Sequence, residues 1–224
     1  MAGRLDGKRV ILTDSGGYGG PGIAKVFKDE GAELFADDRD LTVLGAAEDL
    51  VATVGHVDIL IANHARPFVF TAAEEGTDEE MERLMSSIFY PMHRMIRAVL
   101  PQMLERKGGK IVVTGSVNAI KGRAGGTTLY SAARGAQLSY MRNLACEVAP
   151  YVNVNATAQT YVDNPTYFPE AYKKTEDFRR RLAEVPARRL ASMEEFARTV
   201  LFLAGPESDF FYGQVIPFAG GWAV

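Results

Sequence analysis

Tyr130 and Arg134, four residues apart in the run YSAAR, are the side chains of this sequence best suited to moving a proton. If the run is helical, one turn separates them and the guanidinium lies beside the phenol oxygen. A fixed positive charge favours the phenolate, which equips the tyrosine to act as a base toward a substrate hydroxyl. Ser116, in VTGS, closes a buried-looking strand 14 positions earlier in the chain. Ligands of an open parallel sheet gather at the carboxyl ends of its strands, so this hydroxyl stands where it can hold a substrate oxygen. Most YxxxR pairs on amphipathic helices are packing or surface pairs. The coincidence with a strand-end serine, in a chain of alternating strands and helices, is what points to catalysis.

The elements that must carry these residues are legible in sequence order. RVILT (9–13) reads as a strand that runs into a glycine-rich loop, and PGIAKVFKDEG as a helix closed by Gly31. AELFAD, VDILIAN, KIVVTGS, NVNATAQ and QVIPFAGG supply five further strands, with AAEDLVATVG a helix between the second and third. A long helix is predicted from about Thr77 to Lys107, interrupted or kinked at Pro91. LYSAARGAQLSYMRNLACEVAP is a helix that ends before a proline, and SMEEFARTVLFLAG is one with Ser192 as its N-cap. Between them lies an irregular, aromatic-rich insertion from Thr160 to Leu190 that leads into an arginine-rich helix. Alternating βα units predict an α/β fold: a single-domain, Rossmann-like three-layer sandwich over residues 1–224 with a central parallel sheet.

The loop after the first strand, LTDSGGYGGPG, is where a dinucleotide's pyrophosphate would rest. The chain resembles the short-chain dehydrogenases/reductases over nearly its whole length, and that family carries TGxxxGxG here. Thr13 and Gly20 match the ends of that pattern, but Asp14 replaces its first glycine and Tyr18 its second. A carboxylate near a diphosphate and a ring where only hydrogen leaves room both oppose cofactor binding. The alternative, a cradle of Gly16, Gly17, Gly19 and Gly22 in another register, would make the chain an NAD(P)-dependent short-chain oxidoreductase with an atypical loop. Asp37 still occupies the position of an adenine-ribose acceptor.

The resemblance narrows at three points. Arg134 stands where the family's dehydrogenases carry lysine, no Asn occurs from Thr71 to Val117, and an aromatic replaces the loop glycine. Ser116, Tyr130 and Arg134 with that aromatic resemble the halohydrin dehalogenases, in particular their B-type subfamily. The resemblance implies a cofactor-free reaction in which Tyr130 deprotonates a vicinal halohydrin held by Ser116, and the alkoxide closes to an epoxide with loss of halide. It implies epoxide opening by small anions as the reverse reaction, and a homotetramer. It also implies a halide pocket formed by Tyr18, Gln159, Thr160, Tyr161, Val162, Tyr167 and Phe168. Asn118, Pro67 and Phe68 are candidates for the substrate wall, His64 for a structural or pocket-lining role, and Trp222 for a subunit interface.

Bulk properties exclude other classes. A net charge of −3 gives no basic excess for nucleic acid or an anionic membrane surface. Cys146 is the only cysteine, which excludes a disulfide framework or Cys cluster and reads as a small core residue. No apolar run approaches the roughly 18 residues that span a bilayer, and the N-terminal run has no signal-like apolar core, so a cytoplasmic protein is expected.

Overall fold

The computed structural model describes residues 3–65, 67 and 69–223. Six strands form from the apolar runs: β1 (Arg9–Thr13), β2 (Glu33–Asp37), β3 (Ile59–Asn63), β4 (Gly109–Thr114), β5 (Val152–Gln159) and β6 (Val215–Phe218). They pair in the order β2-β1-β3-β4-β5-β6, and every pairing is parallel. Parallel neighbours need crossover connections, and helices supply them: α1 (Gly20–Asp29), α2 (Ala46–Val54), α3 (Asp78–Leu84), α4 (Tyr90–Glu105) and α5 (Thr128–Val148). Two short helices, α6 (Glu170–Lys173) and α7 (Glu176–Leu182), fill the aromatic-rich insertion, and α8 (Met193–Ala204) precedes β6.

Side chains alternate across each strand, so one strand serves two cores. Ile11, Leu60, Ala62, Ile111, Val113, Val154 and Ala156 pack against α2, α4 and α5 through residues such as Leu50, Met95, Val99 and Met141. Val10, Leu12, Ile59, Ile61 and Val112 pack the other way, against Ile23 and Phe27 of α1 and Phe196 and Val200 of α8. Covering both faces is why these strands read as continuous apolar runs. The result is the expected single-domain, three-layer α/β sandwich.

The long helix differs from its sequence reading in where it breaks. α3 ends at Leu84, a π-helical turn occupies Met85–Phe89, and α4 starts with Pro91 in its first turn. A proline costs nothing there, because first-turn N–H groups have no helical acceptor. The break is therefore one turn before Pro91, and it carries Ile88 into a small core with Leu84, Tyr130 and Ala133. Ser192 caps α8 as expected, in a capping box with Glu195. Cys146 corrects its sequence reading: it lies on the exposed side of α5, not in the core. Among the described residues, no helix is long and apolar enough to cross a membrane.

Candidate active site

The sheet order reverses beside β1, whose partners β2 and β3 lead their chains apart, and the carboxyl ends of β1, β3, β4 and β5 face one crevice. A cavity of about 400 Å³ opens there, lined among others by Ser116, Tyr130 and Arg134. Ser116 follows β4 and caps a short 3-10 turn, its Oγ accepting from the Asn118 backbone N–H at 3.2 Å. Tyr130 lies in the first turn of α5, only 6% exposed.

Arg134 is 2% exposed and is the most informative side chain of the site. Its Nε donates to the Tyr130 hydroxyl at 2.9 Å, as the four-residue spacing predicts. One terminal nitrogen donates to the carbonyl oxygens of His64 (2.8 Å) and Thr114 (3.3 Å) and to Oε1 of Gln137 (2.9 Å). The guanidinium thus ties α5 to the ends of β3 and β4, a fork that a lysine ammonium could not reproduce. Burial disfavours its charge, but the oxygens of Tyr130, Tyr167 and Tyr18 outweigh that cost and hold its pKa above the ordinary arginine value. Gln137 in turn donates to the Ile88 carbonyl at 3.1 Å, inside the π-helical turn. A continuous chain of hydrogen bonds therefore runs from the irregular turn of the long helix to the Tyr130 hydroxyl. Gln137 and the π turn carried no readable signal in the sequence, because both depend on how α5 meets the preceding helix.

Asn63, at the end of β3, holds the glycine-rich loop. Its Nδ2 donates to the carbonyls of Asp14 (2.9 Å) and Gly17 (3.4 Å), and its Oδ1 accepts from Thr114 Oγ1 at 2.9 Å. His64 contacts Thr13 Oγ1 at 3.4 Å through its ring and gives its carbonyl to Arg134, so its place is structural.

Tyr18 adopts a left-handed backbone, φ 50°, rare for a residue with a Cβ. Its ring meets Tyr167 edge-on at 5.4 Å and Phe196 at 6.0 Å, and its hydroxyl hydrogen-bonds the Gln159 side chain. Burial, reinforced by the neighbouring oxygens of Tyr167 and Tyr130, pushes its pKa far above the ordinary tyrosine range. Tyr167 hydrogen-bonds both Tyr130 and Arg134, and burial raises its pKa in the same way. Three phenols therefore surround one guanidinium.

Of the residues named from the sequence, Tyr18, Gln159, Thr160, Tyr161, Tyr167 and Phe168 line the same cavity as Ser116, Tyr130 and Arg134, and so do Asn118 and Pro67. Val162 is not among the lining residues: it is fully buried in the core beneath α1 and α8, because the bridge from Val162 to Ala191 turns it toward the sheet. Phe68 lies outside the described residues. Missed in the sequence were Arg123, Asp177, Phe178 and Arg181, which also line the cavity. The arginine-rich helix was visible, but which of its residues turn inward was not.

The Tyr18 ring lines the cavity onto which Tyr130 opens, where a glycine would leave more room for a dinucleotide. The loop glycines serve the protein's own packing: a Cβ on Gly20 would lie 2.3 Å from the Ser15 carbonyl oxygen, and one on Gly22 would lie 2.8 Å from the Met193 side chain. Asp14 sets its carboxylate beside Gly17, and Asp37 is already paired with Arg39 at 2.9 Å. In this conformation the residues present do not fit the nicotinamide half of such a cofactor. Among the described residues no group of His, Cys, Asp and Glu is arranged to hold a metal ion.

A family model described as Enoyl-(Acyl carrier protein) reductase matches residues 7–223. The chain belongs to the short-chain dehydrogenase/reductase superfamily. It is 30% identical over 219 residues to a 3-oxoacyl-[acyl-carrier-protein] reductase of Vibrio harveyi, covering 96% of this chain and 87% of the relative. It is also 30% identical over 191 residues to a glucose and ribitol dehydrogenase of Daucus carota, covering 85% and 63% of the two chains. A solved structure described as "Dehalogenation enzyme" is similar with a TM-score of 0.89 and 27% identity, covering 100% of both chains.

These relatives correct the expectation of a cofactor-independent halohydrin dehalogenation: the curated proteins the chain matches carry the names of reductases and dehydrogenases. The physical reason the sequence reading went too far is that the serine, tyrosine and cation specify only proton exchange at a substrate oxygen. What becomes of that oxygen's carbon is decided by other groups.

Proposed function

We propose that the chain is an oxidoreductase of its superfamily, exchanging a proton between Tyr130 and the oxygen of a small carbonyl or alcohol substrate. The observation that carries this reading is the buried Arg134–Tyr130 pair beside Ser116, in a chain whose curated relatives are named reductases and dehydrogenases. Ser116 would donate to the substrate oxygen while Tyr130 gives or takes its proton. Arg134 steadies the Tyr130 oxygen through the 2.9 Å hydrogen bond from Nε. Tyr167, hydrogen-bonded to Tyr130, is the next group along the proton's path. The ring of Tyr18 is what this reading has to overcome, since a nicotinamide can approach Tyr130 only if that ring moves.

The test is accordingly on the cofactor. The purified chain is titrated with NADH and NADPH and assayed for reduction of small ketones, alongside Tyr130→Phe. Saturable binding and turnover that is lost in Tyr130→Phe are expected. Absence of dinucleotide binding, or release of halide from a vicinal haloalcohol without any cofactor, overturns the proposal. The halide measurement is included because of the similarity to the solved structure described as "Dehalogenation enzyme".

A further inference from the structure

We propose that the mouth of this cavity recognises an anion, so that the substrate presented to Tyr130 carries a carboxylate at the end remote from its reacting oxygen. The inference rests on the reading above that Tyr130 and Ser116 act on a substrate oxygen. It starts from the charges of the cavity wall, where Arg123, Arg134, Arg181 and Asp177 are the charged lining residues among those described. The described residues of that wall carry an excess of two positive charges in a chain whose net charge is −3. An excess of sign opposite to the whole molecule's needs a counter-charge, and a cavity focuses its field on what enters.

The three cations are not equivalent. Arg134 is engaged with Tyr130 and the strand-end carbonyls, and Arg181 pairs with Asp177 at 2.8 Å. Arg123 has no ion pair and no hydrogen-bond acceptor among the described residues. Its guanidinium stands over two rings instead, 5.9 Å from the centroid of Phe70 and 6.0 Å from that of Trp222. Arg181 approaches the same Phe70 ring, at 5.6 Å. Ring contacts hold the flat faces of a guanidinium and leave its edge of N–H donors for a planar, two-oxygen partner such as a carboxylate. Asn118 adds a second donor on the same lining: its Nδ2 is buried with no partner among the described residues, and a substrate acceptor would satisfy it. Tyr130 and Arg123 line one cavity of about 400 Å³, a volume within the range of small-molecule sites, so one substrate can meet both.

Trp222 is the only tryptophan, and its contact with Arg123 makes its fluorescence a direct readout of the mouth. Levulinate and its uncharged amide are titrated against the wild type, Arg123→Gln and Arg123→Lys. The proposal expects levulinate to perturb the fluorescence saturably with an affinity about tenfold or more above that of levulinamide. Arg123→Gln should erase the difference, and Arg123→Lys should keep part of it. Equal binding of acid and amide, no binding of levulinate, or a difference that survives Arg123→Gln overturns it. Turnover measured on the same two compounds separates the two proposals. Levulinate that binds at Arg123 but is never reduced leaves the anion site standing and counts against the oxidoreductase reading. Reduction of both compounds with equal KM does the reverse.

Discussion

The corner around Arg134 and the loop around Tyr18 lie within reach of one another across the cavity, yet they are built on opposite terms. In the corner, a charged side chain is almost fully buried and is held mainly by hydrogen bonds: to the hydroxyls of Tyr130 and Tyr167, two strand-end carbonyls and the Gln137 amide. In the loop, glycines let the backbone fold onto itself, and a large ring in a left-handed conformation is held mainly by other rings. The first arrangement fixes the position of a reacting group. The second fills a space. The contrast teaches that the acid/base apparatus of this fold and its dinucleotide loop are separable, since one retains a complete hydrogen-bond network while the other presents a phenol where a glycine would leave room.

The largest effect is expected from Tyr130→Phe. Removing the hydroxyl should lower kcat by about 10²- to 10⁴-fold while circular dichroism and melting stay close to wild type. Comparable activity in the variant would break the assignment of the corner as the reacting end.

Arg134→Met tests how much of the corner is structure. The carbonyls of His64 and Thr114 and the Gln137 amide oxygen would lose a buried donor, and a loss of about 1–3 kcal/mol in urea unfolding is expected together with loss of activity. An unchanged midpoint would mean that the network positions Tyr130 without holding the fold.

Tyr18→Gly attacks the comparison from the other side. It relieves the positive φ and opens the space before Tyr130, so dinucleotide affinity, followed by cofactor fluorescence, should rise about tenfold or more. If affinity does not move, Asp14 or the Asp37–Arg39 pair is the stronger obstacle.

The smallest effect is a pH dependence. Tyr18 and Tyr167 have folded-state pKa values raised by burial, so the folded protein holds protons that the unfolded chain releases. Their stabilising contribution is complete below the unfolded tyrosine pKa of about 10 and falls as pH rises above it. Urea midpoints at pH 8 and 10.5 should show that decline, and Tyr18→Phe should lessen it. A Tyr18→Phe protein with an undiminished slope would place the alkaline loss elsewhere.

Much of the site was legible because it is carried by local spacing. The pair Tyr130 and Arg134 needed only a helix, and Ser116 needed only the end of a strand. Asn63 was harder: a buried polar residue closing an apolar run is a visible signal, but its partners in the glycine-rich loop are some fifty residues away. Val162 was misplaced for a related reason, since one residue of phase in an irregular segment decides between cavity and core. Cys146 was misjudged because a helix packed on one side exposes the other, and its small size gave no indication of which side it takes.

By itself the sequence determined the α/β alternation, the parallel sheet and the meeting of a phenol with a cation one helical turn away, because periods of 2 and 3.6 residues fix which side chains share a face. It also placed an aspartate and a tyrosine in a loop where the fold's usual pattern has glycine. Only the tertiary structure decided what those replacements do. The Tyr18 ring reaches Gln159 and Tyr167, and Arg123 from the loop before α5 and Arg181 from the aromatic-rich insertion line the same cavity from segments far apart in the chain. Such meetings depend on how helices and loops are set down on the sheet, and no local periodicity encodes that.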